Sequence, residues 1–344
     1  MKLKSTLGAA VAAAALTSTP ALAQDRTLTI SVYAFAQEEF RELVYEPFEE
    51  KCGCDLVVET GNSVERMSKI EANRENPVID MAVMSLHDAL SLSRQDLLQK
   101  IDTSKLSNHG DLFDVAKDPL GNGEAVGYTL YATSIVYRTD KVEIASWKDL
   151  FQDKLKGRVA LPDITTNQGA RTLWMIGKAI GDEDMSLKAP MELVGENADD
   201  IATFYQRSSQ LAQLVQQDEV WAAPVGRFAW SRFKDNGLDM TWAEPAEGQF
   251  GDMNVMIMPK GIPAENAELA LEFMDYWLSP EIQLALAEAL IDSPVNKTVE
   301  VSAEAAEGLT VGAELIDSLN FMAPEVILDN RDQWLDSWND TVIQ

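Results

Sequence analysis

The sequence predicts an α/β protein built as two lobes. Three observations carry that expectation. Strand-like and helix-like patterns alternate along the first hundred residues. The chain left after an N-terminal leader, about 320 residues, exceeds what one hydrophobic core usually holds. Hydrophobic residues make up 46% of the sequence, enough to bury a core, yet no membrane-length apolar run follows the leader.

The elements follow in order. Residues 28–35 (LTISVYAF) alternate with period two, the strand signature, and residues 38–51 have helical spacing ended at Gly53. Residues 55–60 (DLVVET) and 63–73 repeat the pair, and residues 80–84 (DMAVM) with 86–99 repeat it again. This βαβαβα order requires parallel strands with helical crossovers. Next, residues 124–128 run into 131–138 (YATSIVYR) as a hairpin-like stretch. A short helix at 147–151 and a strand at 159–162 follow, then helices at 169–180 and 198–217. A strand at 219–224, a helix at 228–235 and a strand at 240–243 complete a second α/β lobe. Residues 255–258 (VMIM) form a strand, helices are expected at 267–278 and 280–289, and the tail from Ala303 reads as mostly helical. No period of 20–50 residues repeats.

The N-terminus reads as a cleavable export signal. Lys2 and Lys4 precede an Ala/Val/Leu-rich run at residues 7–16, and Ala21-Leu22-Ala23 offers the small-x-small pattern that signal peptidase accepts. The run is too short to span a bilayer. Thr17, Ser18, Thr19 and Pro20 disfavour a helix directly behind it. A cut before Gln24 is expected, with no Cys there to carry a lipid, so the mature chain is expected free in the periplasm. Cleavage removes two of the 28 Lys and Arg and none of the 56 Asp and Glu, taking the formal charge from −28 to −30. Nucleic acid and anionic lipid both need clustered cations, so this balance argues against them as partners.

Catalytic signatures are missing. There is no glycine-rich phosphate loop, no Gly-x-Ser-x-Gly elbow and no His-Glu-x-x-His. The chain has two histidines, His87 and His109, too few for a convincing triad or zinc site. Paired carboxylates arise by chance among 56 acids and count for nothing. No cofactor is called for. The only cysteines, Cys52 and Cys54, flank Gly53. An oxidising compartment permits a small-ring disulfide between them; two unpaired thiols, with Cys54 starting a strand, is the other reading.

In open α/β sheets, ligands bind just beyond the carboxyl ends of strands. Four such ends are rich in recognition groups: residues 33–37 (YAFAQ), 85–88 (SLHD), 131–134 (YATS) and 163–168 (DITTNQ). They put forward Tyr33, Phe35, Gln37, Ser85, His87, Tyr131, Thr133, Asp163 and Thr166 as ligand-binding candidates. Plainer readings exist: Tyr33 and Phe35 as core, and Ser85, Asp163 and Thr166 as caps.

The order and wording of the segments resemble the periplasmic solute-binding proteins of ABC importers, in the spermidine/putrescine-binding family. The resemblance covers most of the mature chain. It rests on Phe48-Glu49-Glu50-Lys51 with Gly53, on residues 127–141 (GYTLYATSIVYRTDK), and on residues 146–151 (SWKDLF) with 154–163 (KLKGRVALPD). Met258-Pro259-Lys260-Gly261 and Pro294-Val295-Asn296 complete the set. Each piece is degenerate alone; their order gives them weight. The resemblance implies the two-lobed periplasmic-binding-protein (type II) fold, closing on a solute held in a cleft between lobes joined by hinge strands. Lobe 1 would comprise residues 25–131 and 255–299 and lobe 2 residues 132–254, with residues 300–344 a helical segment packed on both. The chain would cross between lobes near residues 131–134 and 251–255. The expected partners are a small solute and the transmembrane subunits of an ABC permease, and a monomer is expected.

Polyamine binders of that family set aromatic faces along the methylene chain and carboxylates at the ammonium ends. The resemblance thus implies Tyr33, Phe35, Tyr131 and Trp230 as faces, Asp163 and Asp252 for charge, and His87 where an aromatic contact is usual. There are departures. Residues 247–254 (EGQFGDMN) lack the Trp that polyamine binders tend to carry; Asp252 takes about its place, and Asn254 stands where an acid is usual. Arg227 lies at the mouth of a strand, where it could hold a carboxylate bidentately. Arg227 facing Asp252 would suit a zwitterion such as an ω-amino acid, the competing solute. The plainer readings are a surface ion pair of Arg227 with Asp235 or Glu219, and turn capping by Asp252. Ferric-ion binders share the fold but present adjacent tyrosines, whereas Tyr205 stands alone. From other classes, a two-lobed hydrolase or transferase and a chemoreceptor-linked sensor remain as alternatives.

Overall fold

The computed structural model describes residues 26–234 and 237–343. The export signal, its cleavage point and Asp235 lie outside the described residues.

The chain opens with β1 (Arg26–Val32), whose inner half is buried, and a helical stretch made of α1 (Gln37–Phe40), a π-turn and α2 (Glu46–Cys52). Gly53 ends it in the left-handed conformation, φ 60°, and leads into β2 (Cys54–Thr60). Cys52 and Cys54 are disulfide-bonded across this junction, their Cα atoms 5.3 Å apart. A capping box between Asn62 and Glu65 starts α3 (Ser63–Ala72). Then come β3 (Met81–Ser85), α4 (Leu86–Arg94) and the short α5 (Asp114–Lys117). The third helix is shorter than its sequence pattern because the chain turns at Asp96, φ 58°.

Residues 125–138 form one strand, β4 (Ala125–Arg138), instead of a hairpin. Nothing in it favours a turn, and Thr129 and Leu130 stay paired with Asn254 and Met253 of a later strand. β5 (Val159–Pro162), α6 (Gly169–Ile180) and α7 (Lys188–Glu196) follow. The single helix expected at 198–217 is instead β6 (Ile201–Tyr205) and α8 (Ser208–Gln216). Ile201, Thr203, Phe204 and Tyr205 are β-branched or aromatic, and pairing beside β5 outweighs their helical spacing. β7 (Ala222–Gly226), α9 (Ser231–Lys234), β8 (Met240–Trp242) and the long β9 (Phe250–Ile257) come next. The chain ends with α10 (Ala264–Trp277), α11 (Pro280–Glu288), α12 (Ala303–Gly308), α13 (Ala313–Ser318), β10 (Asn320–Phe321) and α14 (Pro324–Trp338).

The strands run in the order β2-β1-β3-β9-β4-β7-β5-β6, with β10 against β9 and β8 against β4. β1 is parallel to β2 and β3, and β5 is parallel to β6 and β7. Between these parallel halves, β9 and β4 lie antiparallel, paired from Ala125–Ile257 to Thr133–Phe250. β3 pairs with residues 254–257 of β9, and β7 pairs with residues 133–137 of β4. The two long strands therefore belong to both halves.

The cores divide the same way. One joins Leu28 through Ala132 to Met253 through Leu319; another joins Ile135 through Phe250 to Met322 through Val342, with a smaller cluster around Trp230 beside it. The result is a two-lobed α/β molecule with a cleft between the lobes. The tail spans both. Arg94 of α4 pairs with Asp329 of α14, while Trp334 donates to the Met185 carbonyl at 2.9 Å and Trp338 meets Phe204 edge-on.

Candidate functional site

The cleft has a volume of about 1620 Å³. One wall is formed by the ends of β1 and β3 and the start of α3, and the facing wall by residues 164–171, 205–209 and part of α14. Opening from its floor is a second, inner pocket of about 260 Å³. Tyr33, Phe35, Tyr131, Asn167 and Phe228 line both cavities and so mark the mouth of the inner one.

Local sequence explains how several of these groups are held. A Cβ at position 226 would lie 2.3 Å from the Phe228 ring, so Gly226 is what lets that ring fold back over the end of β7. The ring meets Tyr131 edge-on, centroids 5.1 Å apart. Gly169 similarly permits the close approach of α6 to the Asp163 carbonyl, 2.4 Å from where its Cβ would stand. The Arg66 guanidinium lies 4.1 Å above the Tyr33 ring, and the Tyr33 hydroxyl donates to Asn254 Oδ1 at 3.4 Å. Desolvation pushes the Tyr33 phenol up to about 12 and raises Tyr131 as well. Both act as neutral hydroxyls.

The cleft floor holds a buried charge network. Arg171 of α6 donates from Nη2 to Asp252 Oδ1 at 3.0 Å and from Nη1 to the Asn167 carbonyl. Tyr131 donates to the other Asp252 oxygen at 3.0 Å, and the Met253 N–H adds a third bond. On the opposite wall His87 sits 3.7 Å from Asp88 Oδ1, and Asp88 accepts from Ser85 at 2.6 Å. Burial lowers the His87 pKa more than Asp88 raises it, favouring the neutral ring.

Several sequence candidates meet at these cavities. Tyr33, Phe35, His87, Tyr131 and Thr166 line the cleft, and Gln37 and Asn254 line the inner pocket. Others are placed elsewhere. Ser85 is the cap of α4 and is fully buried. Asp163 closes a turn by accepting from the Thr165 N–H, and Thr133 is enclosed in β4. Trp230 belongs to a core cluster, edge-on to Trp242, and lines neither cavity. The expected facing of Arg227 and Asp252 does not form. Arg227 stacks on Trp242, 4.6 Å from its centroid, and donates to the Glu307 carbonyl, while Asp252 is already held by Arg171.

The sequence reading does not put forward Asp292, Tyr45, Tyr128, Trp277 or Phe228, all of which line the inner pocket. Among the described residues, Asp292 is its one charged lining residue. The Oδ2 atom is enclosed without a hydrogen-bond partner, and so are Tyr45 Oη and Trp277 Nε1. Desolvation pushes the Asp292 carboxyl up to about 7. Its signal in the sequence is an acid breaking an apolar run, Leu290-Ile291-Asp292, just after a helix. Chemically, the inner pocket is an aromatic recess whose one acid, beside Thr129, keeps an oxygen without a donor, an arrangement suited to a cation.

The comparisons agree with this architecture. The spermidine/putrescine-binding periplasmic protein of Escherichia coli (strain K12) is 25% identical over 255 residues, 71% of each chain. A putrescine/cadaverine-binding protein of Pseudomonas aeruginosa is 24% identical over 277 residues, 74% of this chain and 77% of the relative. Among solved structures, an ABC transporter protein from Clostridium perfringens superposes with a TM-score of 0.82 at 29% identity, covering 92% of this chain and 99% of that one. The sequence pattern described as bacterial extracellular solute-binding protein matches residues 44–311, and the chain belongs to that family.

Proposed function

We propose that this protein is the periplasmic capture component of an ABC importer, and that its solute is an amine-bearing molecule, a polyamine such as putrescine or spermidine. The family match supports the solute-binding role. The two relatives, named for spermidine, putrescine and cadaverine, support the solute class. One observation in this chain carries the reading: the recess in the cleft floor has aromatic walls, and its one charged lining residue is an acid. Aromatic faces and a desolvated carboxylate attract an ammonium, and methylenes gain from the apolar walls. Closure of the lobes about β4 and β9 would enclose the solute and present the closed form to the permease.

A zwitterionic ω-amino acid is the second reading. Arg207 and Arg331 line the outer cleft, where a carboxylate could meet them. Thermal shift separates the two, because a ligand that binds only the folded state raises the melting temperature. Putrescine and spermidine are expected to raise it at concentrations where ω-amino acids do not. Stabilisation by ω-amino acids alone would transfer the assignment to the zwitterion, and no response to either class would overturn both.

A further inference from the structure

The acids that line the cleft and those beside it differ in what they have left to offer a ligand. Asp252 is spent on Arg171, Tyr131 and the Met253 N–H. Asp88 accepts from Ser85, Glu65 from the Asn62 N–H, and Glu71 from Gln95. Asp163 accepts from Thr165. Asp292 alone among these keeps an enclosed oxygen with no donor, in a pocket where no cation among the described residues is a lining residue. An enclosed carboxylate oxygen without a donor is costly, so such a group points to a ligand that completes it.

The shape of the two cavities fixes how a ligand would sit. Tyr45, Tyr128 and Trp277 are 2%, 3% and 1% exposed and form the blind end of the inner pocket. Phe35, 45% exposed, stands with Phe228 and Asn167 at the mouth. The inner pocket, at about 260 Å³, falls below the roughly 300–1,000 Å³ of sites that enclose an entire drug-sized ligand. The cleft outside it is several times larger.

We propose that the solute enters end-first, seating one terminal primary ammonium against Asp292 in the inner pocket and leaving its other end in the cleft. This rests on the reading of the solute as an amine. The ammonium brings three N–H donors; Asp292 Oδ2 takes one and the unpartnered Tyr45 hydroxyl a second. Recognition is therefore strict about one head group and lenient about what lies beyond a few methylenes. Chain length is read weakly, because the far end lies in a wide space that does not grip it.

Calorimetric titration of the mature protein with putrescine, N-acetylputrescine and N,N′-diacetylputrescine tests this. The first two are expected to bind within about tenfold of each other and the third not at all. Asp292→Asn is expected to weaken putrescine by about thirtyfold or more, the loss of a charge-assisted bond. If N-acetylputrescine fails as completely as the diacetyl compound, the end-on seat is overturned, and this arm needs no variant to fold. If putrescine binds the wild type and Asp292→Asn equally well, the role of Asp292 is overturned while the amine reading stands. If the wild type binds none of the three, nor spermidine, the amine reading falls and the seat with it.

Discussion

Arg171 and Asp252 meet at 3.0 Å with side chains only 4% and 3% exposed, one from α6 and the other from the long strand β9. Such a pair recovers its desolvation cost only while both members are present. Arg171→Met should therefore lower stability by about 3 kcal/mol or more, because it strands a buried carboxylate. Adding Asp252→Asn should restore much of the loss. Chemical denaturation of the single and double variants measures it; equal stability of all forms would show that the pair is not desolvated.

Asp292 makes a pH prediction for the empty protein. Its folded pKa, pushed up to about 7, lies above its unfolded value, so the folded state holds a proton that the unfolded state has lost. The contribution of this group is fully present below about pH 4 and is lost as pH rises through 7. Asp292→Asn should remove that loss and raise the melting temperature at pH 8 by a few degrees. A variant that melts lower than wild type at pH 8 would contradict it.

Amine affinity should carry the opposite slope. An ammonium needs Asp292 as carboxylate, so below pH 7 binding must expel a proton, and affinity should fall by close to tenfold per unit. Titration calorimetry at pH 6 in two buffers of different ionisation heat would show about one proton released in wild type and none in Asp292→Asn.

Phe228 leans on Tyr131 at the mouth of the inner pocket. Phe228→Ala removes an aromatic face from the path of the solute and should cost about tenfold in putrescine affinity, the size of one desolvated cation–π contact. Because the ring is half-buried, the melting temperature should change little. A large drop in melting temperature with unchanged affinity would make it a core residue instead.

Arg227 serves as the contrast. It is held between Trp242 and the Glu307 carbonyl, away from both cavities, so Arg227→Ala should leave putrescine affinity within about twofold. The expected cost is about 1 kcal/mol of stability. A tenfold loss of affinity would bring Arg227 back as a ligand contact.

The sequence displays the βαβ order of the first hundred residues clearly, because period and turn residues are local signals, but it reads the continuous β4 as a hairpin. It misses β6, where pairing with β5 decides the conformation. The same limit governs the site. Tyr33, Phe35 and Tyr131 are legible as strand-end aromatics. Which acid is open to a ligand is not, since Asp252 is neutralised by an arginine 81 residues earlier in the chain. Trp230 and Trp277 are equally good aromatic candidates by composition; both pack in core clusters, but only Trp277 also lines the inner pocket.

The divided core of the first lobe also sets the order in which the chain is able to fold. Ala82 to Ser85 find their antiparallel partner only in β9, and the apolar face of that sheet is finished by residues up to Leu319. An N-terminal fragment ending before β9 has nothing to close against, so stable structure must wait until most of the polypeptide has been made. A chain that threads a membrane before folding is helped by that delay, since it stays loose until the last helices arrive.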